Sequence, residues 1–328
     1  MKILSHAFSF SLHRGFVVLQ LFWTYLLSVA FKKPFRPLAP LSVSIEPANS
    51  CNLRCPECPV GNGSLTRAKT FMDEALFTNV VDELSPHISY LMLYFQGEPL
   101  LHPSLAKMIQ YAHDKKIFTM ISTNGQLITN EKARELVNSG LNHLIISLDG
   151  ITQKVYETYR KGGNLQKTVD AVTYLNAWKK KLQTKTPFIE AQMIVMKHNE
   201  HEISAFKKKV NELKVDSFSL KTAQIEWDRT EAWIPSRSRF ARYKKDRKGN
   251  WTMKKRLKNR CWRQWSSAVI SASGDVLPCC FDKNAEHTFG NLRDASFLEI
   301  WHNEKAKAFR KAILTNRKQF EMCRNCTS

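Results

Sequence analysis

Between Leu41 and about Ala223, short apolar runs alternate with longer amphipathic stretches. The runs Leu41–Pro47, Tyr90–Gln96, Phe118–Thr123, His143–Leu148, Phe188–Met196 and Phe218–Thr222 are rich in β-branched and aromatic residues and read as strands. The stretches Asp73–Leu84, Pro103–Lys115, Asn130–Ser139, Asn164–Lys181 and Glu200–Leu213 read as helices, most of them opened by Ser, Thr, Asp or Asn. Six strands alternating with helices predict an α/β fold with a parallel sheet, open or closed into part of a barrel. Working residues in such folds sit in the loops at the C-terminal ends of the strands.

The regions on either side follow other patterns. Residues 1–40 contain an uncharged run, Phe16 to Phe31, between His13 and Arg14 on one side and Lys32, Lys33 and Arg36 on the other. As a helix it is about 24 Å long, short of a ~30 Å hydrocarbon core. It suits an interfacial helix with Trp23 and Tyr25 at headgroup depth, a helix packed on the protein's own core, or a signal peptide with a weak cleavage-like Ser28-Val29-Ala30. Residues 224–260 form a connector in which Arg237 to Arg260 holds twelve Lys or Arg against one Asp, with Phe240, Tyr243 and Trp251 between them. A solvated linker, a phosphate or acidic-lipid contact, and a single-strand track all fit. No recognised nucleic-acid module is visible, which disfavours the last. Residues 261–328 form a smaller unit, with a hairpin through Ser273-Gly274 and a helix over Ser296–Leu314 that turns Ile300, Trp301, Ala308 and Ile313 inward.

Composition narrows the class. With 43% hydrophobic residues the chain is not disordered, and a formal charge of +21 argues for anionic partners or an anionic substrate. The eight cysteines are Cys51, Cys55, Cys58, Cys261, Cys279, Cys280, Cys323 and Cys326. A disulfide framework belongs to small secreted chains; in a long chain this clustering reads as metal sites in a reducing, cytoplasmic compartment.

Candidate chemistry follows the first strand, at Cys51-x3-Cys55-x2-Cys58. Three thiolates do not complete a tetrahedral zinc site, but they can hold three irons of a cubane and leave the fourth open. Zinc completed by a distant ligand is the alternative. The next three strands end in Gln96-Gly97-Glu98-Pro99, Thr123-Asn124-Gly125 and Ser147-Leu148-Asp149-Gly150. Each alone is an ordinary turn signal.

In this order, the cysteine triad and the three loops resemble the radical S-adenosylmethionine (SAM) family over roughly residues 41–223. The resemblance implies a partial (β/α)6 TIM-like barrel. It implies that Cys51, Cys55 and Cys58 bind a [4Fe–4S] cluster whose open iron is chelated by the amino and carboxylate groups of SAM. One electron from the cluster then releases a 5′-deoxyadenosyl radical that abstracts hydrogen from a substrate. Carried over by position, Glu98, beside Gly97, would accept the methionine ammonium. Ser147 and Asn124 would touch ribose or carboxylate oxygens, Arg160 a carboxylate, and Gln192 the ribose. Two departures stand out: Glu57 replaces the usual aromatic before the third cysteine, and Gln96 replaces the first glycine of the Gly-Gly-Glu-Pro loop.

Cys261-x12-Gly274-x4-Cys279 and Cys323-x2-Cys326 resemble a SPASM or twitch domain and imply four protein ligands for an auxiliary [4Fe–4S] cluster. A structural zinc there is the alternative, and Cys280 reads as a spare packed thiol, with displacement of Cys279 as a ligand the other reading. A closed auxiliary cluster favours taking or relaying an electron, so the resemblance points to net oxidation (dehydrogenation) of an unidentified substrate. A peptide-modifying maturase and a non-enzymatic iron–sulfur electron-transfer or binding protein are the other readings. Expected partners are SAM, a low-potential flavodoxin- or ferredoxin-type donor and an acidic membrane surface at the inner face. Tyr94, Lys221, Glu226 and Arg160 are expected at the barrel mouth, with no catalytic residue assigned.

Overall fold

The structure, a computed structural model, describes residues 12–225 and 230–326. Glu226 lies outside the described residues. The strands are β1 (Ser42–Ile45), β2 (Tyr90–Met92), β3 (Phe118–Thr123), β4 (His143–Ser147), β5 (Phe188–Val195), β6 (Ser217–Thr222), β7 (Tyr243–Lys245), β8 (Trp251–Met253), β9 (Ser267–Ile270), β10 (Asp275–Leu277) and β11 (Gly290–Asn291). β1 to β6 pair in sequence order, every pair parallel. Successive crossovers therefore wind in one direction with no reversal, which is the connectivity of a barrel arc rather than of a doubly wound sheet.

Alternation along the strands divides the two faces. On β5, Ile189, Ala191, Met193 and Val195 are fully buried beneath the helices, whereas Glu190, Gln192 and Ile194 are half-buried on the inner face. The main core lies between the outer strand faces and helices such as Glu74–Leu84, Leu105–Asp114 and Leu165–Lys181, through Phe77, Ile109 and Leu175. Helix starts follow their capping residues: Asp73, Thr129 and Asn164 side chains accept the backbone N–H groups of Leu76, Lys132 and Lys167.

The C-terminal unit shares the same sheet. β9 pairs parallel with the free side of β1, and β10 and β11 continue it antiparallel, so nine strands run β11-β10-β9-β1-β2-β3-β4-β5-β6. The helix expected over Ser296–Leu314 is two, Phe297–His302 and Glu304–Asn316. Asn303 is extended at the break, and its side chain caps the second helix through Ala306 N. That shifts the inward face, so Ala306 and Phe309 are buried and Ala308 is exposed. The basic connector contains the hairpin β7–β8, and helix Gln153–Tyr159 lies in the loop after β4; neither was predicted.

The N-terminal helix α1 (Leu12–Phe31) lies across the turns that enter the strands. Val17 and Leu21 pack against Trp265 and Leu314. Arg14 donates to the carbonyls of Ser85, Lys115 and Lys116, just before β2 and β3.

Candidate functional site

The first cluster loop is held from several sides. Before it, the Asn49 side chain donates to Ala68 O at 2.7 Å and accepts from Thr70 N at 2.8 Å. Within it, Cys58 N donates to Cys55 O, and Arg54 N donates to Lys161 O in the β4 loop. After it, the turn Pro59–Asn62 folds back so closely that a Cβ on Gly61 would stand 2.4 Å from Cys55 N. Cys55 is buried, while Cys51 and Cys58 are half-buried. Burial pushes the Cys51 thiol up to about 11 and raises Cys55 as well, so a metal must displace their protons on binding.

Gly97 presses the next loop onto this one. Its φ is +73°, and a Cβ there would meet Ala48 O at 2.4 Å and Ser50 O at 2.6 Å. Glu98 follows, 2% exposed. Its carboxylate accepts from Thr123 Oγ1 at 2.7 Å, Asn124 N at 2.9 Å and Leu100 N at 3.3 Å. Burial raises its pKa despite these donors. A buried carboxylate of this kind fits an ammonium group, whose charge offsets the cost of burial.

Asn124 acts on the loop itself. Its Nδ2 donates to Asn52 Oδ1 at 2.9 Å and lies 3.8 Å from Cys51 Sγ, while its Oδ1 accepts from Gln126 N. The amide thus pins the cysteine loop with both ends engaged. Arg160 sits on the opposite flank: Nε donates to the buried Asp149 at 2.5 Å, and Nη1 lies 3.9 Å from Cys55 Sγ. Asp149 is held in turn by Ile194 N at 2.6 Å. The sequence-derived residues Cys51, Cys55, Glu98, Asn124 and Arg160 therefore belong to one connected constellation.

Ser147 and Gln192 stand in a second row, on the inner face. They are register neighbours across β4 and β5, and Gln192 is in turn opposite Ser219 on β6, to which it donates at 3.3 Å. Beneath them Glu190 accepts from Ser219 Oγ at 2.5 Å and faces His143 Nε2 at 3.2 Å. The close approach of His143 leads the causes that hold the Glu190 pKa below its usual value. Tyr94, expected at the mouth, lines this interior; burial pushes its pKa to about 12, and it feels the charges of Cys280, Arg263 and Glu190. Lys221, also expected there, pairs in register with inner-facing Ile194 and is exposed.

The second cysteine group surrounds a buried cation. Arg317, 1% exposed, donates through Nη2 to Cys326 Sγ at 3.3 Å and through Nη1 to Arg260 O. Burial works against its charge, yet Cys261, Cys323 and Cys326 keep its pKa above the usual arginine value. Arg263 lies on the other side, 3.3 Å from Cys280 Sγ and within reach of Cys279 and Cys261. Cys280 lies against both Cys279 and Arg263. Both cysteine groups offer thiols only, the usual donor set of iron–sulfur clusters. Among the described residues no three Cys, His, Asp or Glu side chains gather tightly enough to hold a single metal ion.

Glu57 lines a cavity of about 470 Å³ between the cluster loop and the C-terminal unit, with Ile225, Phe281, Lys283, Glu321 and Asn325. Its walls carry Glu57, Asp282, Glu286 and Glu321 against Lys283, so the excess positive charge of the chain lies elsewhere.

Several working side chains escaped the sequence reading. Asp149 was in view within Ser-Leu-Asp-Gly, but its ion pair with Arg160 was not. Glu190, His143, Arg263 and Arg317 belong to no motif, and only packing brings them to the two sites.

Residues 45–208 match the family model of the radical SAM superfamily, and residues 261–327 match that of the SPASM iron–sulfur cluster-binding domain. A tungsten-containing aldehyde ferredoxin oxidoreductase cofactor-modifying protein of Pyrococcus furiosus is 24% identical over 313 residues, covering 86% of each chain. An S-adenosyl-L-methionine-dependent 2-deoxy-scyllo-inosamine dehydrogenase of Niallia circulans is 23% identical over 293 residues, covering 87% of this chain and 92% of that one. Among solved structures, Streptococcus suis SuiB bound to precursor peptide SuiA superposes with a TM-score of 0.63 at 16% identity, over 92% of this chain and 73% of that one.

Proposed function

Because the chain belongs to the radical SAM superfamily and carries a C-terminal iron–sulfur cluster-binding domain, we propose that it dehydrogenates a polar substrate held in the barrel interior. Its cofactors are SAM, a SAM-binding [4Fe–4S] cluster and an auxiliary cluster. In our reading Cys51, Cys55 and Cys58 hold the first cluster, and Cys261, Cys279, Cys323 and Cys326 the second. Together the first cluster and SAM supply a 5′-deoxyadenosyl radical that takes a hydrogen atom.

The chain's own residues have distinct tasks in this proposal. Glu98 receives the SAM ammonium in a site from which water is excluded, and Asn124 keeps the cysteine loop against it. Arg160 presents its remaining N–H groups to the SAM carboxylate while Asp149 fixes the guanidinium. Ser147 and Gln192 offer hydrogen bonds to ribose hydroxyls. Glu190, ionised and braced by His143 and Ser219, is the interior base that takes the substrate proton.

The observation that carries oxidation is the pair of guanidiniums at the auxiliary thiols. Arg317 and Arg263 offset negative charge there, and a less negative net charge makes a cluster site easier to reduce. The site thereby suits the second electron of a two-electron oxidation. The dehydrogenase relative supports the same outcome. We place the protein in the cytoplasm, served by a flavodoxin- or ferredoxin-type donor.

A peptide-modifying role is the second reading, favoured by the likeness to a fold that binds a precursor peptide. One experiment separates the readings. Anaerobically reconstituted protein, with about eight irons for two clusters, is incubated with SAM and reductant. The expected product is 5′-deoxyadenosine, absent from the Cys55→Ala variant. Equal traces in both would leave only an electron-transfer role. A dependence on added short peptides from neighbouring coding regions would favour the maturase.

A further inference from the structure

The 20 residues of α1 present two unlike faces. One is fixed to the protein by Val17, Leu21, Arg14 and the buried Ser28, which accepts from Phe35 N at 2.9 Å. Gln20 accepts from Leu38 N and donates to Arg36 O, Trp265 Nε1 donates to Phe35 O, and Lys311 Nζ donates to Lys32 O. The helix is therefore tied flat along its length, not free to turn across a bilayer.

The other face is apolar and open. Phe16, Leu19, Phe22, Trp23, Leu26 and Leu27 are all exposed, and Leu12 and Phe31 extend the arc at its two ends. At 100° per residue they cover about half the helix circumference. The only charged residue of α1, Arg14, is buried on the packed side. Of the twelve large apolar side chains exposed among the described residues, eight lie on this arc, so it is a concentrated patch and not ordinary surface scatter. Exposed Lys32, Lys33, Arg36 and Lys311 rim its C-terminal end.

We infer that this face docks the protein flat on an acidic lipid bilayer, with the Trp and Phe side chains in the headgroup–acyl boundary and the basic rim on anionic headgroups. The charge pattern selects this occupant. Anionic lipid complements both parts of the surface, taking the apolar arc into its acyl boundary and the basic rim onto its headgroups. The placement also orients the enzyme. α1 crosses the turns that enter β2, β3 and β9, whereas Cys51, Glu98, Asn124 and Asp149 follow the opposite ends of β1 to β4. The docked molecule therefore keeps its cluster loops on the side away from the bilayer and draws SAM and substrate from the aqueous phase.

Flotation of the full-length, cluster-loaded protein with vesicles tests this. Vesicles of phosphatidylcholine with about 30% phosphatidylglycerol should bind it at least about tenfold more than phosphatidylcholine alone, and high salt should weaken that binding. Leu19→Glu with Trp23→Glu should reduce binding about tenfold or more, without unfolding, because both positions are exposed. Lys32→Glu with Lys33→Glu should remove the preference for the acidic vesicles. SAM cleavage by bound protein should stay within about twofold of that in solution; strong inhibition on vesicles would overturn the orientation. Absence of wild-type binding, or binding unaffected by the Glu substitutions, would overturn the docking face. So would a concentration-dependent dimer in solution that those substitutions dissolve.

Discussion

Glu98 carries the tightest constraint at the scale of a single residue. Three donors and nearly complete burial hold a carboxylate with no cation hydrogen-bonded to it among the described residues, and burial raises its pKa. A carboxyl raised in the folded state contributes its stability below the unfolded pKa and loses it as pH rises through the folded one. Glu98→Gln should therefore flatten the stability loss of the SAM-free protein above about pH 4.5, as thermal melts across pH would show. The same change removes a charge-assisted hydrogen bond worth about 1.5–3 kcal/mol, so SAM affinity should fall about 10- to 100-fold by calorimetry. Unchanged affinity would mean that the ammonium binds elsewhere. The Gly-Glu-Pro motif made Glu98 readable from the chain. Its partners Thr123 and Asn124 came with a motif too, but their role as fixed donors to it did not.

Loops, more than strands, carry the design at the scale of elements. The strands were legible because inner and outer residues alternate, as on β5, and the helices because most begin at a capping side chain. The loops work through close approaches that one-dimensional patterns do not encode. Gly97 has a left-handed backbone, and there is no space for a Cβ against Ala48 and Ser50. Gly97→Ala should lift the Glu98 loop off the cysteine loop and lower iron content and SAM cleavage together; iron assay and 5′-deoxyadenosine formation measure this, and a fully loaded, active variant would refute it. The C-terminal helix shows the converse error. Residues 296–314 have a continuous helical pattern, but Asn303 takes up an extended conformation and caps a new helix, so Ala308 turns outward.

One buried ion pair joins the two cysteine-bearing parts at the scale of the whole molecule. Glu46, at the end of β1, receives both Nη atoms of Arg67 at 2.6 and 2.8 Å and also accepts from Gln96 N and Ala272 N. Arg67 continues to Lys283 O. The Glu98 loop, the turn after β9 and the segment following Cys279 and Cys280 thus meet at one carboxylate. Glu46→Ala would strand a buried guanidinium and two further donors, Gln96 N and Ala272 N, at a cost of about 3–5 kcal/mol. Denaturant melts should show that loss, and the auxiliary cluster's spectroscopic signal should broaden as its segment loosens. A change below about 1 kcal/mol would mean water replaces the carboxylate.

The barrel strands, the order of the loops and the seven candidate cluster cysteines are legible in the chain, because they depend on local periodicity and short spacing. Which charges meet is settled by folding alone. Arg317 lies fifty-six residues from Cys261, and Glu46 lies twenty-one from Arg67. Nothing local marks such pairs, since a buried ion is acceptable only where folding delivers its partner. The same holds for α1: its hydrophobicity was plain from the chain, but which half would be covered depended on where Trp265 and Leu314 came to rest.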